Sequence, residues 1–348
     1  MQVKYVAIAF YLCIMYYLTR SVIIGLKGGN LMYSERKIGI IGLGHVGAHV
    51  ANSLLIQGIA DELYLCGHND KKVLAENQDL QDSMCFVPYN TRIINCGVEY
   101  EALAKCDIII NCAGNIANSA SSRDGELFDT TKSAETFANR IVSAGFDGVI
   151  VSVANPCDVV CTSIWHLTGY DTSKIIGTGC GLDSARLCSE ISKVTNISPK
   201  SIEAYMIGEH GFSQIAAWES ATIAGVRIID LAKTDPERFG FDRPEIEERA
   251  RKAGYVTYAG KGCTEYAVSN CAARLCAAIL HNEHAVLSVS TLMTGQYGVE
   301  GVYSSLPCVI GSKGVEHVFT PQLSEEEKAG FLKSCEHTRE SFLQLGLE

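Results

Sequence analysis

The stretch Lys37-Ile-Gly-Ile-Ile-Gly-Leu-Gly-His-Val-Gly47 decides the fold of this chain. It begins as a short apolar strand and continues into a helix with apolar residues at helical spacing. Gly42 permits a tight turn, Gly44 lets the backbone approach a pyrophosphate, and Gly47 lets the helix pack closely on the sheet. The unpaired N–H groups of the helix N-terminus favour an anion. In this strand–loop–helix context the glycine pattern predicts a dinucleotide-binding loop.

From this loop to about residue 178, short apolar runs alternate with amphipathic helices, which is typical of a parallel α/β sheet. The predicted strands are 38–41, 63–66, 93–96, 107–112 and 148–154, and the predicted helices are 46–57, 71–84 and 134–144. About six strands within roughly 120 residues, joined by crossovers, fit a doubly wound (Rossmann) sheet. We therefore predict a dinucleotide-binding domain over residues 37–178.

After about Gly179 the alternation stops, and mixed strands and helices predict an α+β catalytic, substrate-binding domain over residues 179–348. The predicted elements are a helix from about 183, a strand at 201–207, helices at 244–253 and 267–280, and several strands within 284–320. Ser324 followed by Glu327 predicts a capping box that opens a last helix running toward Leu345.

Composition narrows the class of protein. The 348 residues carry a net charge of −10, which argues against a nucleic-acid binder, because such a protein needs a basic surface to neutralise phosphates. Hydrophobic residues at 47% and charged residues at 20% are ordinary for a soluble globular protein. The 15 cysteines show neither a CxxC pair nor zinc-finger spacing, so we expect free thiols in a reducing cytosol and no metal site. Disulfides or a metal remain the alternatives.

Residues 1–36 differ from the rest and are left out of the fold prediction. Residues 6–18 form an apolar run with Arg20 behind it, shorter than the roughly 20 residues of a membrane helix. A signal sequence lacks its Ala-x-Ala-like cleavage site here. We favour an extension preceding a start at Met32 and a cytoplasmic location, with a membrane anchor as the alternative.

The second predicted strand lacks the acidic residue that normally binds the ribose hydroxyls at its end. Gly67 stands there, followed by His68 and Asn69. Losing that carboxylate removes a barrier to the extra phosphate of NADP, while Asn69 or a backbone group could equally hold an NAD ribose. We expect NAD, with NADP not excluded.

Polar residues follow several apolar elements. Asn155 ends a predicted strand, Asp183 and Arg186 open a helix on one face, His210 lies between two glycines, and Arg123 lies in a segment of small residues. Singly, these could be a helix cap with its ion-pair partner, a turn histidine and a solvated side chain. Together they indicate a catalytic site.

A series of motifs supports this interpretation: Ala-Gly-Asn-Ile, Ala-Asn-Pro-Cys-Asp, Ile-Gly-Thr-Gly, Leu-Asp-Ser-Ala-Arg, Ile-Gly-Glu-His-Gly-Phe-Ser-Gln and Gly-Lys-Gly-Cys-Thr. With these motifs, the sequence from Lys37 to its end resembles the L-lactate/malate dehydrogenase family. Within that family it is most similar to the L-2-hydroxyisocaproate and L-lactate dehydrogenases. The resemblance implies an NAD(P)-dependent oxidoreductase that interconverts a 2-oxo acid and its L-2-hydroxy acid.

The resemblance also implies roles. Arg186 would bind the substrate carboxylate through two parallel hydrogen bonds. His210 would pass a proton to the ketone oxygen, and Asp183 would orient its ring and raise its pKa. Asn155 would lie near the nicotinamide, and Arg123, on a closing loop, would polarise the carbonyl. Substrate contacts are further implied for Thr264, and cofactor contacts for Gly42, Gly44, His45, Val46, Gly47, Gly67, Ala113, Gly114 and Asn155.

Specificity in this family depends on the closing loop, where malate enzymes have an arginine and lactate enzymes a glutamine. That position is Ala117 here, so a second substrate carboxylate would lie unpaired beside alanine. The small residues around it leave room for a medium apolar side chain, as in 2-hydroxyisocaproate. The alternative is L-lactate dehydrogenase proper.

Partners follow from the same resemblance: a small 2-oxo acid, no nucleic acid, and a homotetramer or dimer. Cys188 and Glu203 replace the arginine and histidine through which fructose 1,6-bisphosphate activates bacterial relatives. We therefore expect no such activation. A function of a different class, a non-catalytic nucleotide-binding redox sensor, remains the alternative.

Overall fold

The computed structural model of the protein describes residues 24–27, 30–33, 35–114 and 126–347. Two compact units divide the chain, Met1–Arg36 and Lys37–Glu348. In the first unit, strands β1 (Ile24–Lys27) and β2 (Asn30–Tyr33) form an antiparallel hairpin, with Ile24 opposite Tyr33. The site argued below lies within the second unit.

The second unit begins with six parallel strands, five of which lie at the predicted apolar runs. They are β3 (Lys37–Ile41), β4 (Glu62–Cys66), β5 (Arg92–Gly97), β6 (Ile108–Asn111), β7 (Val149–Ser152) and β8 (Ile175–Gly177). Their order across the sheet is β5–β4–β3–β6–β7–β8. This is the strand order of a doubly wound dinucleotide fold, and the predicted fold class is confirmed. The order reverses between β3 and β6, where ligands of such sheets bind.

The long strands of the second half extend this same sheet. They are β14 (Ala285–Thr294), β15 (Glu300–Gly311) and β16 (Gly314–Val318). β14 pairs antiparallel with β8 through Ser290 and Gly177, and β15 and β16 follow, so the sheet has nine strands. The two halves therefore share backbone hydrogen bonds as well as a surface.

The predicted strand 201–207 is two strands in two small sheets. β9 (Ile202–Glu203), β12 (Thr222–Ile223) and β13 (Val226–Arg227) form one sheet, and β10 (Met206–Ile207) and β11 (Ile215–Ala216) form the other. The chain changes sheets between β9 and β10, where the Met206 N–H donates to the Ser184 hydroxyl at 3.0 Å. A continuous strand was the wrong interpretation, because an apolar run does not reveal a change of partner.

Ten helices complete the described part of the second unit. They are α1 (His45–Gln57), α2 (Asp70–Ser83), α3 (Leu127–Ser143), α4 (Cys157–Thr168), α5 (Gly181–Thr195), α6 (Ile228–Thr234), α7 (Pro236–Phe239), α8 (Arg243–Lys261), α9 (Tyr266–Leu280) and α10 (Glu325–Leu343). The capping box at α10 has both hydrogen bonds, since Ser324 accepts from the Glu327 N–H and Glu327 accepts from the Ser324 N–H. That prediction is confirmed.

Candidate active site

The loop between β3 and α1 is shaped by its glycines. Gly42 has a φ of +92°, a backbone conformation that favours glycine. At Gly47 an added Cβ would lie 1.8 Å from the Gly42 carbonyl oxygen, so only glycine lets α1 begin this close to the strand. Gly44 is the N-cap of α1, and among the described residues no side chain caps that helix. An added Cβ at Gly44 would meet nothing within 4 Å, so the loop backbone is open to a bound anion.

Little space surrounds Gly67, the residue that follows β4. Gly67 is buried, its N–H donates to the Gly97 carbonyl at 2.8 Å, and an added Cβ would lie 3.0 Å from Val73. The Asn69 side chain accepts the Lys72 N–H at 3.1 Å and so caps α2. The NH₂ group of the Asn69 side chain takes no part in that contact, so it can still donate to a ribose hydroxyl.

A cleft of about 1030 Å³ lies at the carboxyl edge of the sheet, between the two halves of the second unit. The predicted site residues that line it are Gly42, Gly44, His45, Val46, Gly67, Ala113, Gly114, Asn155, Arg186, His210 and Thr264. Gly47 and Asp183 do not line the cleft. Gly47 allows α1 to begin close to Gly42, and Asp183 hydrogen-bonds to His210 and Arg186, which do line it. Arg123 and Ala117 lie outside the described residues.

Asp183 is the centre of the polar cluster. Its side chain is 0% exposed, and its two oxygens accept separate hydrogen bonds. Oδ2 lies 2.6 Å from His210 Nδ1, and Oδ1 accepts from Arg186 Nη1 at 2.9 Å. One buried carboxylate thus fixes an imidazole and a guanidinium at the same wall of the cleft. The remaining ring nitrogen of His210 is then the one available for proton transfer.

A second buried carboxylate, Asp158 in α4, holds the backbone of the same histidine. Its Oδ2 accepts the His210 N–H at 2.7 Å, and its Oδ1 accepts the Ser290 hydroxyl at 2.5 Å. Burial raises the pKa of Asp158 to about 6. The sequence analysis missed this residue, although it closes the quoted Ala-Asn-Pro-Cys-Asp motif.

The loop that carries His210 is fixed from two further sides. The Gly208 N–H donates to the Ser305 carbonyl of β15 at 3.0 Å. The Glu209 N–H donates to the Ser334 hydroxyl of α10 at 2.7 Å. Elements far apart in the sequence therefore position this one imidazole.

An aromatic wall on α8 also borders the cleft and was not predicted. Gly254, Tyr255 and Tyr258 line the cleft, and Tyr255 stacks on Phe212 with ring centroids 5.4 Å apart. The predicted helix ended at residue 253, whereas α8 continues to Lys261. No motif marks these aromatic residues, because their position depends on that extra length of helix.

The rim of the cleft holds a charged cluster between α1 and the loop before α9. His45 Nδ1 lies 2.8 Å from Glu265 Oε1, and the other oxygen of Glu265 pairs with Lys261. The Lys261 ammonium holds the pKa of Glu265 at about 2. Lys261 also lies over the Tyr266 ring, 3.9 Å from its centroid. This cluster joins the phosphate loop to the second half of the chain.

Two further findings concern the cysteines and the helices within the described residues. The fourteen cysteines within the described ranges are free thiols, and most are buried. None of the helices that the structure describes is both long and apolar enough to span a membrane. The apolar run at residues 6–18 lies outside those ranges.

Two family models match the chain. One describes a lactate/malate dehydrogenase NAD-binding domain and matches residues 36–177. The other describes a lactate/malate dehydrogenase alpha/beta C-terminal domain and matches residues 180–344.

Curated relatives are similar over most of their length. An L-lactate dehydrogenase of Fusobacterium nucleatum is 40% identical over 305 residues, which is 87% of this chain and 95% of that protein. L-lactate dehydrogenase 3 of Bacillus cereus is 35% identical over 312 residues, which is 89% of this chain and 98% of that protein.

A solved structure agrees with them. A minor L-lactate dehydrogenase from Enterococcus mundtii, in its ligand-bound form, superposes with a TM-score of 0.85 at 29% identity. The match covers 90% of this chain and 99% of that one.

Proposed function

The chain belongs to the lactate/malate dehydrogenase family and is an NAD-dependent oxidoreductase of 2-hydroxy acids, and we propose that it interconverts L-lactate and pyruvate. The observation that carries the proposal is the buried carboxylate of Asp183, which bonds both the His210 ring and the Arg186 guanidinium. An acid–base group and a carboxylate-binding group thereby stand side by side at the cleft. The names of the relatives supply the substrate pair.

The residues of the cleft fit NAD. Gly44 leaves the first turn of α1 open to a pyrophosphate, and Gly42 and Gly47 allow the close turn that brings it there. Asn155 lies at the cleft near the carboxyl end of β7, where we expect the nicotinamide to bind. When bound, NAD supplies or accepts the hydride.

The protein's own side chains perform the rest of the reaction. Arg186 binds the substrate carboxylate, because a planar guanidinium offers parallel donors and its partner Asp183 fixes its direction. His210 donates its proton to the ketone oxygen as the hydride reaches the carbon, and takes it back in the reverse direction. Asp183 holds the ring by Nδ1, so Nε2 faces the substrate.

Arg123, which lies outside the described residues, completes the proposed mechanism. By its role in the family it would polarise the carbonyl of the substrate. Asn155, which lines the cleft, would help to orient the same oxygen.

A second candidate substrate class is a 2-oxo acid with a medium apolar side chain, such as 2-oxoisocaproate. It is favoured by the small residue Ala117 at the position that, by the family resemblance, selects the substrate. The aromatic wall of Tyr255 and Tyr258 adds apolar surface to the cleft. Malate and oxaloacetate are disfavoured because their second carboxylate would lack a cationic partner at Ala117.

One substrate panel tests the proposal. Pyruvate, 2-oxoisocaproate, phenylpyruvate and oxaloacetate are each offered with NADH and with NADPH, and kcat/KM is measured. We expect pyruvate with NADH to give the highest value. A higher value for 2-oxoisocaproate would select the second candidate instead.

Two variants assign the activity to the site. His210→Asn should lower kcat by about 10²–10⁴-fold, because the proton donor is lost. His284→Asn, at an exposed histidine that pairs with Glu316, is the matched control and should leave kcat unchanged. NADH binding without turnover of any 2-oxo acid would overturn the enzyme proposal and favour a nucleotide sensor.

A further inference from the structure

Three side chains with metal-binding atoms meet on the rim of the cleft. The atoms are an imidazole nitrogen of His45, the thiol sulfur of Cys263 and a carboxylate oxygen of Glu265, and all lie within 4.8 Å of one another. His45 is exposed, while Cys263 and Glu265 are buried. More than 200 residues separate His45 from the other two, so no sequence spacing reveals the set.

We propose that His45, Cys263 and Glu265 form a site that binds Zn²⁺, and that this metal reversibly inhibits the enzyme. Nitrogen, thiolate and carboxylate are the three ligand types that zinc takes in proteins. Three protein ligands with a fourth position left to water is the arrangement of an open zinc site.

The His45–Glu265 pair requires only a small adjustment. His45 Nδ1 and Glu265 Oε1 are already 2.8 Å apart. In a tetrahedral site with bonds of about 2.0–2.1 Å, two such ligands lie about 3.3 Å apart, so the pair opens by about half an ångström. The metal takes the place of the hydrogen between these atoms, and the neutral imidazole then carries its one hydrogen on Nε2. The proton of the Cys263 thiol passes to solvent.

Lys261 sets the strength of the site. Its ammonium pairs with Oε2 of Glu265, whereas Oε1 faces His45. The carboxylate can therefore keep its lysine partner while its other oxygen binds the metal. The lysine charge opposes a second cation nearby, so binding is weaker than at a zinc site without such a neighbour.

The location explains the inhibition. His45 is the first residue of α1, beside the loop proposed to receive the pyrophosphate. Thr264 lies between Cys263 and Glu265 and lines the cleft. A metal bound to Cys263 and Glu265, the two neighbours of Thr264, and to His45 beside the phosphate loop would cross-link the two sides of the cleft. This cross-link opposes the entry of cofactor and substrate.

Binding is tested with Co²⁺ as the spectroscopic substitute for Zn²⁺, on the cofactor-free protein. We expect one equivalent of Co²⁺ to produce a sulfur-to-cobalt charge-transfer band, which added Zn²⁺ removes. Cys263→Ser should abolish the band, and Cys85→Ser, at an exposed cysteine outside the cluster, should not. Lys261→Gln should tighten binding, because it removes the opposing charge.

His45→Asn guards against a folding artefact, since this side chain is exposed and its loss should weaken Co²⁺ binding without disturbing the core. A band that survives in Cys263→Ser, or no band at all in the wild type, would overturn the site. In a parallel assay, Zn²⁺ should lower turnover, a chelator should restore it, and Cys263→Ser should be resistant. Stoichiometric binding with unchanged turnover would overturn the inhibitory role.

Discussion

The phosphate loop and the catalytic cluster lie in one cleft but are built in opposite ways. The loop takes its shape from the eleven consecutive residues 37–47, in which Gly42, Gly44 and Gly47 determine the path of the backbone. The cluster takes its shape from side chains on α4, α5 and the loop after β10, which meet through the buried carboxylates of Asp158 and Asp183. The first is a local backbone structure, and the second is a product of the whole tertiary fold.

This difference separates two kinds of fragility. Added atoms damage a backbone site where they meet a neighbouring backbone atom, as at Gly47. A side-chain cluster is damaged when atoms are exchanged, because a buried donor or acceptor then loses its partner. Substitutions that test each kind should therefore separate cofactor binding from chemistry.

The largest effect is expected from Asp183→Asn. The carboxylate accepts from both His210 and Arg186, whereas an amide offers one acceptor oxygen and turns its NH₂ group toward the other donor. We expect kcat to fall by about 10²–10⁴-fold while the affinity for NADH changes little. Stopped-flow turnover and NADH fluorescence titration measure the two quantities. Equal losses in both would show that the cluster and the loop are not separable.

Gly47→Ala should produce the opposite separation. The new Cβ would lie 1.8 Å from the Gly42 carbonyl oxygen, so α1 must move away from the loop. We expect the free energy of unfolding to fall by about 1–3 kcal/mol or more, together with a loss of NADH affinity. Gly44→Ala is the matched control, since its Cβ meets nothing within 4 Å. Denaturant unfolding of the control should match the wild type, and a destabilised control would contradict the assignment.

Asp158→Asn should have a smaller, pH-dependent effect on stability. The folded-state pKa of Asp158 is about 6, above its ordinary value of 3.8, so folding favours the protonated form. The wild type therefore loses stability as pH rises from about 4 to about 6, by at most about 3 kcal/mol, and the loss persists above that range. The variant should escape this loss, because an amide does not ionise in this range. Its oxygen can still accept the His210 N–H.

The measurement for Asp158→Asn is the difference in unfolding free energy between variant and wild type from pH 4 to pH 7. The difference should grow in favour of the variant across this range. A constant difference would mean that Asp158 titrates in the same range in the folded and unfolded chains.

The last prediction is the absence of an effect of a sugar bisphosphate on activity. Fructose 1,6-bisphosphate should not shift the pyruvate saturation curve. Cys188 is buried with its thiol donating to the Ile202 carbonyl at 3.4 Å, and Glu203 is an exposed acid that repels phosphate. A leftward shift would show that the helix carrying Asp183 responds to a distant ligand.

The sequence predicted the fold best where periodicity and burial agree. Five of the six parallel strands were placed by their apolar runs, and helix α10 by its capping box. Helix α4 was missed because residues 157–164 are all buried, so the polar residues among them, Asp158, Thr162 and Ser163, do not mark a solvent face. The short strand β8 was not delimited, since three residues carry too little pattern.

The candidate site shows the same limit. Motifs proposed Asp183, Arg186 and His210, and the structure brings these three together at the cleft. Asp158 was missed, since a buried carboxylate that binds a backbone N–H has no pattern of its own. The contact between His45 and Glu265 depends on how α1 packs beside α9, which no local stretch of sequence records.

The nine-stranded sheet has a consequence for biosynthesis. β8 ends the first half with an open edge, and β14, which covers it, is synthesised about 110 residues later. At a synthesis rate of 5–20 residues per second, the edge of β8 stays unpaired for roughly 5–20 s during translation. During this interval the nascent chain presents an unpaired strand to its neighbours, which invites edge-to-edge aggregation. Translation that stops before residue 294 should therefore release an insoluble fragment, and the cell would depend on chaperones to protect this chain until its last fifth emerges.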